Sequence, residues 1–559
     1  MPSDEASVQS EKTHEGEHHG DYSSDIPISS SVYLYTFCAS VNSCNLGYDI
    51  GVSTNLGPLI QADFDLTDLE RELLIGSLNF MAMWGALMSQ YFSDRFGRRM
   101  TFIVASFGFL NGLIIMAIGQ TYGQILAGRI LVGIGCGVGF AVDPLYISEI
   151  APAKHRGELV TWSDIGINVG VVLGFSTGLL FDGMPDGDAW RAMCMLGLIF
   201  PVTIMFLTVG ILPETPRWFV LNGLDNDARL VLQDIYPADF NVDLVIDDIK
   251  EALERERLAE QSVGWSVFWR PSPAISRMLL LGLLVPVAQQ TAGIDAIQYY
   301  LLDVMDESGV MTKTSQKIFL IVLGLVKLVC IMISSQLLDR MGRRFTFFLS
   351  LTGLIISLVT VSISFGIKSQ AGAYIELGAL SLYLASYGLG LGPAGWLLPS
   401  EIFATCIRAK GVSVATFLNR LAATITVSSF LSIKNTITWP VFFLILAGFC
   451  LFTLIMLYLY LPETKGRSLE DMTLYFAEET GDFSILDAER KLRVETELEK
   501  MEKSGKSKKD GRRLMKDETT RTAAMTSTRT FAETEASRTE MDPSSRSFGA
   551  RQLDPTSDN

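Results

Sequence analysis

The chain is short of the residues from which most active sites are built. It has four histidines, His14, His18, His19 and His155, and none lies inside an apolar run. A buried histidine-based catalytic or metal centre is excluded within those runs. Seven cysteines occur, at positions 38, 44, 136, 194, 330, 406 and 450. All fall in or beside apolar runs, and no paired spacing suggests a disulfide framework or a metal site. They read as buried free thiols acting as small hydrophobes. Charged residues are scarce too, at 19%. No nucleophile–base pair is legible, so neither an enzyme nor a bound cofactor is expected.

What the chain does have is hydrophobic length. Of its 559 residues 48% are hydrophobic, and its mean hydropathy is +0.31. Soluble domains rarely combine such values with so little charge. A helix crossing a bilayer needs about 20 apolar residues. About twelve stretches meet that criterion. They run near 31–52, 73–92, 101–119, 123–147, 159–181, 190–212, 276–301, 316–338, 345–366, 374–398, 410–432 and 438–461. The first 29 residues are polar and acidic, and the first apolar run is long enough to span, so no cleaved leader is expected. The net charge of −16 says less than its placement. Acidic residues crowd the N-terminal tail, the 57–72 loop and the 182–188 loop. Short basic loops follow spans two and eight, with Arg95, Arg98, Arg99 and Arg340, Arg343, Arg344. Basic short loops mark the cytosolic side. Twelve spans put both tails on that side, in a multi-pass protein expected in the plasma membrane. The lipid bilayer is its surroundings, and no nucleic-acid partner is expected.

Three short patterns occur twice. Asp94-Arg95-Phe96-Gly97-Arg98-Arg99 returns as Asp339-Arg340-Met341-Gly342-Arg343-Arg344. Ser148-Glu149-Ile150 with Arg156-Gly157 returns as Ser400-Glu401-Ile402 with Arg408 and Gly411. Pro213-Glu214-Thr215 returns as Pro462-Glu463-Thr464. The offsets are 245, 252 and 249 residues. So constant an offset indicates duplication, and parallel repeats are a transporter architecture. The expected fold is an all-α membrane protein of twelve transmembrane helices in two six-helix halves. Its parts are a disordered cytosolic tail (1–30), a first half (31–212), a linker with short cytosolic helices (213–275), a second half (276–461) and a largely disordered cytosolic tail (462–559). The run Gly133, Gly135, Gly137, Gly139 lacks nucleotide-loop spacing. Its pairs four apart instead let helices pack closely in lipid.

Charges inside spans are costly, so they default to functional candidates. Asp49 lies in the outer part of span one, and Arg129 opens span four. An acid beside an arginine makes a proton switch, because protonation releases the arginine. The plainer alternative is that Asp49 reaches the interface. Lys327 lies in mid-span eight, with Asp164 in span five and Asp295 in span seven. They are either structural ion pairs or the charges of a polar, hydroxyl-binding cavity. Gln289 and Gln290 sit in span seven, where packing alone does not favour amides, and each amide both donates and accepts. Gly293 loosens that helix. Gly390, Gly392, Pro393 and Gly395 interrupt span ten, and Trp396 offers a flat face to a sugar ring. Asn419-Arg420 adds polar groups in span eleven. In the loops, Asp94, Arg95, Arg98 and Asp339, Arg340, Arg343 are expected to clamp helix ends. Their partners are Glu149/Arg156 and Glu401/Arg408, in a cytosolic gating network. The same arginines also hold positive charge inside.

These motifs resemble the sugar porter family of the major facilitator superfamily over residues 31–470. The resemblance rests on the GRR loops, Pro213–Arg217 after span six, Gln289-Gln290-x-x-Gly293 and Pro462–Glu470 after span twelve. It implies alternating access without chemical turnover. It implies Gln289, Gln290, Trp396 and Asn419 as sugar ligands, Tyr299 and Tyr300 near the outer gate, and Asp49–Arg129 as the proton-coupling pair. Asp164, Asp295 and Lys327 depart from hexose facilitators. With Asn419-Arg420, the acid at 164 and the intramembrane lysine resemble plant-type polyol and inositol proton symporters. Three readings stand: a proton symporter for a monosaccharide or polyol, a passive hexose facilitator, and a non-transporting sugar sensor that signals through its long tail.

Overall fold

The computed structural model describes residues 29–503 apart from 153, 263, 308–311 and 368. The expected disorder before residue 29 and beyond 503 falls outside the described residues. Among these, all regular structure is helical. The first half runs through α1 (Ser30–Phe64), α2 (Asp68–Phe96), α3 (Arg98–Ile118), α4 (Tyr122–Ile150), α5 (Arg156–Leu180), α6 (Asp186–Gly197) and α7 (Ile199–Gly210). Four helices bridge the halves: α8 (Pro216–Leu221), α9 (Asp225–Ile235), α10 (Val242–Ser262) and α11 (Ser266–Trp269). The second half comprises α12 (Pro273–Thr291), α13 (Ile294–Tyr299), α14 (Leu301–Glu307), α15 (Lys313–Met341), α16 (Arg343–Ser364) and α17 (Gln370–Ser386). It continues through a π-turn at Tyr387–Leu391 into α18 (Gly392–Ile402), α19 (Arg408–Ser428), α20 (Phe430–Ile437) and α21 (Trp439–Tyr460). Then come α22 (Leu469–Thr480) and α23 (Ser484–Lys503).

Nine helical stretches among the described residues are long and apolar enough to cross a membrane. The pair α19 and α20, bent by 48°, makes a tenth. α1 and α2 complete the twelve at 35 and 29 residues, but they are less apolar than the sequence reading supposed. α1 buries Thr36, Ser40, Asn42, Ser43, Asn45 and Asp49 among its apolar residues. Polar groups buried in lipid-embedded helices must face protein, so α1 lies inside the bundle. The acidic 57–72 stretch is also mostly helix. α1 runs on to Phe64, and α2 starts at Asp68 behind a capping box between Thr67 and Glu70. The residues after 462 likewise begin with order. α22 opens on a Ser468–Asp471 capping box and buries Met472, Phe476 and Ala477.

Close helix approach sets the packing of the first half. α1 lies along α5, and α4 lies along α2 and α3. A Cβ on Gly47 would stand 1.8 Å from the Ile167 carbonyl oxygen, and one on Gly137 2.1 Å from that of Ala82. Gly133 also faces α2, Gly135 faces α3 and Gly139 faces Asn42. The glycine run of span four therefore seats one helix against three neighbours, as small residues do in membranes.

Candidate transport site

A cavity of about 90 Å³ lies between the halves. The first half supplies Leu46, Ile50, Phe140, Asp164, Ile167, Asn168 and Val171. The second supplies Gln289, Gln290, Asp295, Gln298, Lys327, Tyr387, Trp396 and Arg420, among others. Sites enclosing drug-sized ligands measure roughly 300–1,000 Å³, so the cavity is contracted in this state.

Two helix breaks bring these side chains inward. Gly293 adopts φ +91°, which ends α12 before α13 begins. Left-handed backbone suits glycine because it carries no Cβ. The break leaves Gln289 and Gln290 on α12 and Asp295 and Gln298 on α13. In span ten, the π-turn and Pro393 interrupt the helix just before Trp396. Such turns are common at functional sites.

Polar contacts hold the lining in place. Gln289 Nε2–H donates to the Gly392 carbonyl at 2.7 Å, and its Oε1 accepts from Asn419 Nδ2–H at 2.7 Å. Asn419 also donates to the Pro286 carbonyl at 2.7 Å. It is fully buried behind Gln289 and does not line the cavity, so here it positions the glutamine. Gln290 Oε1 is buried with no hydrogen-bond partner. Lys327 Nζ–H donates to Gln298 Oε1 at 2.9 Å and lies 5.5 Å from the Tyr387 ring centre. Asp295 stands 4.0 Å from Arg420, whose guanidinium lies 4.9 Å from the Phe140 ring centre and 5.8 Å from that of Trp396. Phe140 and Trp396 meet edge to face at 5.4 Å. Trp396 therefore contacts an aromatic residue of the opposite half. Two acids and two cations border one small space, so its formal charge balances.

Asp49 and Arg129 are away from this lining. Arg129 Nη1–H donates to Asp49 Oδ1 at 2.7 Å, and Nη2–H donates to Ser53 Oγ at 2.7 Å. Both side chains are buried, and Asp49 Oδ2 has no partner. The interface alternative for Asp49 does not hold in this structure. Sequence reasoning passed over a second buried acid, Asp143 of α4. Ser43 Oγ–H donates to its Oδ2, and its Oδ1 is unpartnered. The signal was an acid within span four. Gln298 was likewise missed, one turn beyond Asp295.

On the acidic face, hydrogen bonds join the halves. Arg71 donates to both carboxylate oxygens of Asp303, at 2.8 and 2.6 Å. Glu72 accepts from the Ser432 backbone N–H at 2.8 Å and from its hydroxyl. Asn435 donates to Asp68 at 2.8 Å, and Lys317 to Asp182 at 2.6 Å. Tyr300 is fully buried, stacks on Phe430 at 4.9 Å and lies beneath Arg71. Tyr299 is buried next to it. Neither tyrosine lines the cavity.

The duplicated loops form one clamp in each half. Arg98 Nη2–H donates to Glu149 at 2.7 Å. Glu214 caps α3, accepting from the backbone N–H of Arg98 at 2.9 Å and of Arg99 at 3.0 Å. Arg343 lies 3.0 Å from Glu401. Glu463 repeats the cap on α16, at 2.9 Å from Arg343 N and 3.1 Å from Arg344 N. A carboxylate at a helix N-terminus meets free N–H donors and the positive end of the dipole. Burial pushes the Glu214 carboxyl above its ordinary range, and the backbone donors of Thr215, Arg99 and Arg98 oppose that shift. Glu214 and Glu463, visible as repeats, were not expected in this role. Two expected partners stay outside: among the described residues, no hydrogen bond or ion pair joins Arg156 to Glu149 or Arg408 to Glu401. Arg408 Nε and Nη2 are unpartnered. Asp94 stands 3.4 Å from Arg98, while Arg95 donates to Tyr91 at 3.1 Å. The Arg340 backbone carbonyl accepts from Lys465 at 2.8 Å. The side chain of Asp339 lies outside the described residues.

A charged cavity between two helical bundles, with a bonded seal on one face, defines a secondary transporter that works by alternating access. The chain belongs to the family described as "Sugar (and other) transporter", matched over residues 35–476. It is 32% identical over 473 residues to "Probable polyol transporter 4" of Arabidopsis thaliana, covering 84% of this chain and 90% of that protein. It is 30% identical over 444 residues to the "Galactose-proton symporter" of Escherichia coli, covering 78% and 93%. Its fold is that of the xylose transporter XylE from E. coli in a partially occluded inward open conformation. The TM-score is 0.68 at 22% identity, covering 79% of this chain and 100% of that one.

Proposed function

We propose that the chain moves a polyol or monosaccharide across the plasma membrane together with a proton, without chemical change to the cargo. The observation that carries the proton claim is the buried Asp49–Arg129 pair with Asp49 Oδ2 left unpartnered. A buried carboxylate held by a single arginine has two stable arrangements, paired when ionised and released when neutral. The cargo class is supported by a lining of amides and balanced charges, which donate to and accept from hydroxyls. Relatives named as polyol transporters and a galactose-proton symporter agree with both parts. Gln289, Gln290, Asp164, Asp295, Trp396 and Lys327 are the proposed cargo contacts, with Asn419 holding Gln289 in place. With the basic loops and both tails in the cytosol, the Arg71–Asp303 and Glu72–Ser432 contacts seal the outer face. The two loop clamps then brace helix ends inside each half.

The test is uptake of labelled glucose, xylose, mannitol and myo-inositol in uptake-deficient cells at two external pH values. Uptake of at least one that rises at acid pH and collapses with protonophore is expected. Uptake indifferent to both indicates a passive facilitator, and surface expression without any uptake indicates a sensor.

A further inference from the structure

Span seven is two pieces, and the outer piece carries a residue bonded in two directions. Gln298 of α13 is 2% exposed. Its backbone carbonyl accepts from Thr54 Oγ1–H of α1 at 2.8 Å, a buried contact that crosses between the halves. Its side-chain Oε1 accepts from Lys327 at 2.9 Å. Its Nε2 is buried with no partner, and the residue lines the cavity. Thr54 is fully buried and follows Ser53, whose Oγ accepts from Arg129 at 2.7 Å. Arg129 in turn holds Asp49 at 2.7 Å. A continuous set of contacts therefore runs from the proton pair, along one turn of α1, across the seam to Gln298, and on to Lys327.

We infer that Thr54 and Gln298 link the charge on Asp49 to the outer gate and to the cargo cavity. The inference rests on the symport reading above. Coupling needs an element with two arrangements that both sites bias. The segment Ile294–Tyr299 is that element. It hinges at Gly293, and it leads directly into Tyr300, which lies under the Arg71–Asp303 seal. While Asp49 is ionised, Arg129 spans Asp49 and Ser53 and fixes the turn that presents the Thr54 hydroxyl. Thr54 then holds Gln298, and the gate segment stays down. When Asp49 takes a proton, Arg129 loses its counter-charge, the turn is no longer pinned, and the grip on Gln298 weakens. Cargo acts on the same residue from the other side. A hydroxyl in the cavity meets the unpartnered Nε2–H of Gln298 and competes for the Lys327 ammonium. Proton and cargo thus bias one segment, and each changes the affinity for the other by the same factor. Thr54 acts through its neighbours and is a positioning residue, whereas Gln298 also meets the cargo.

Thr54→Val removes the hydroxyl at constant shape, and Thr54→Ser keeps it. The full chain is placed in proteoliposomes with an imposed pH gradient. Accumulation and energy-independent exchange of mannitol, myo-inositol, xylose and glucose are measured. The Val variant is expected to keep exchange within about twofold of wild type and to lose accumulation about fivefold, the scale of one hydrogen bond. The Ser variant is expected to keep both. Full accumulation by the Val variant overturns the inference, as does a Ser variant that fails as badly as the Val variant. If the wild type accumulates none of the four, the symport reading itself fails and the inference falls with it.

Discussion

At the residue scale, coupling depends on where single charges sit. Asp49→Asn keeps the shape and removes the switch. It is expected to retain exchange and lose uphill accumulation, measured by counterflow and by gradient-driven uptake. Arg129→Ala does something different, because it strands a buried carboxylate. Breaking a buried pair costs about 3–5 kcal/mol, so this variant is expected to show poor surface expression and a lower melting temperature. The double variant with Asp49→Asn should recover part of that stability. These charges were legible in the sequence because lipid penalises them wherever they fall in a span. The Asp49–Arg129 pairing was expected and the two meet at 2.7 Å, but the other partners were not legible. Only the packed bundle places Asn419 behind Gln289 rather than beside the cavity. Gln298 escaped notice because a lone amide next to a tyrosine pair resembles ordinary lining.

At the scale of the element, the helix breaks and helix ends do the positioning. Gly293→Ala puts a Cβ on a residue at φ +91° and 2.9 Å from Leu446 Cδ1. The left-handed penalty is about 1–2 kcal/mol. The expected result is slower turnover with surface expression retained, measured as initial uptake rate per molecule at the surface. Glu214→Ala removes the cap of α3 and the acceptor for three backbone N–H groups, those of Arg98, Arg99 and Thr215. A lost cap costs about 1 kcal/mol, and the variant is expected to melt at a lower temperature with its half-saturating cargo concentration unchanged. The breaks in spans seven and ten were legible from Gly293 and from the Gly-Pro run near Pro393. The caps were not, although Glu214 and Glu463 stood in plain repeats. A repeat shows that a residue has a counterpart, but not which N-terminus it folds back onto. The same limit explains Arg156 and Arg408, which share the repeat with Glu149 and Glu401 yet do not pair with them.

At the scale of the whole molecule, two bundles meet across a polar cavity and are bonded together on the acidic face. Constant offsets between repeated motifs revealed the duplication, and hydropathy revealed most of the spans. The apolar reading overstated α1, whose buried serines and asparagines face protein rather than lipid. Six residues expected at the site, Asp164, Gln289, Gln290, Asp295, Lys327 and Trp396, do line the cavity, but how helices far apart in sequence assemble its walls could not be read. The central claim is that proton and cargo cross together. Its most direct test follows the external pH of a weakly buffered suspension of proteoliposomes when mannitol, myo-inositol, xylose or glucose is added at zero membrane potential. At least one of the four is expected to alkalinise the medium, with the signal abolished by protonophore and lacking in Asp49→Asn. Uptake of the same cargo with no pH change in the wild type would contradict the claim.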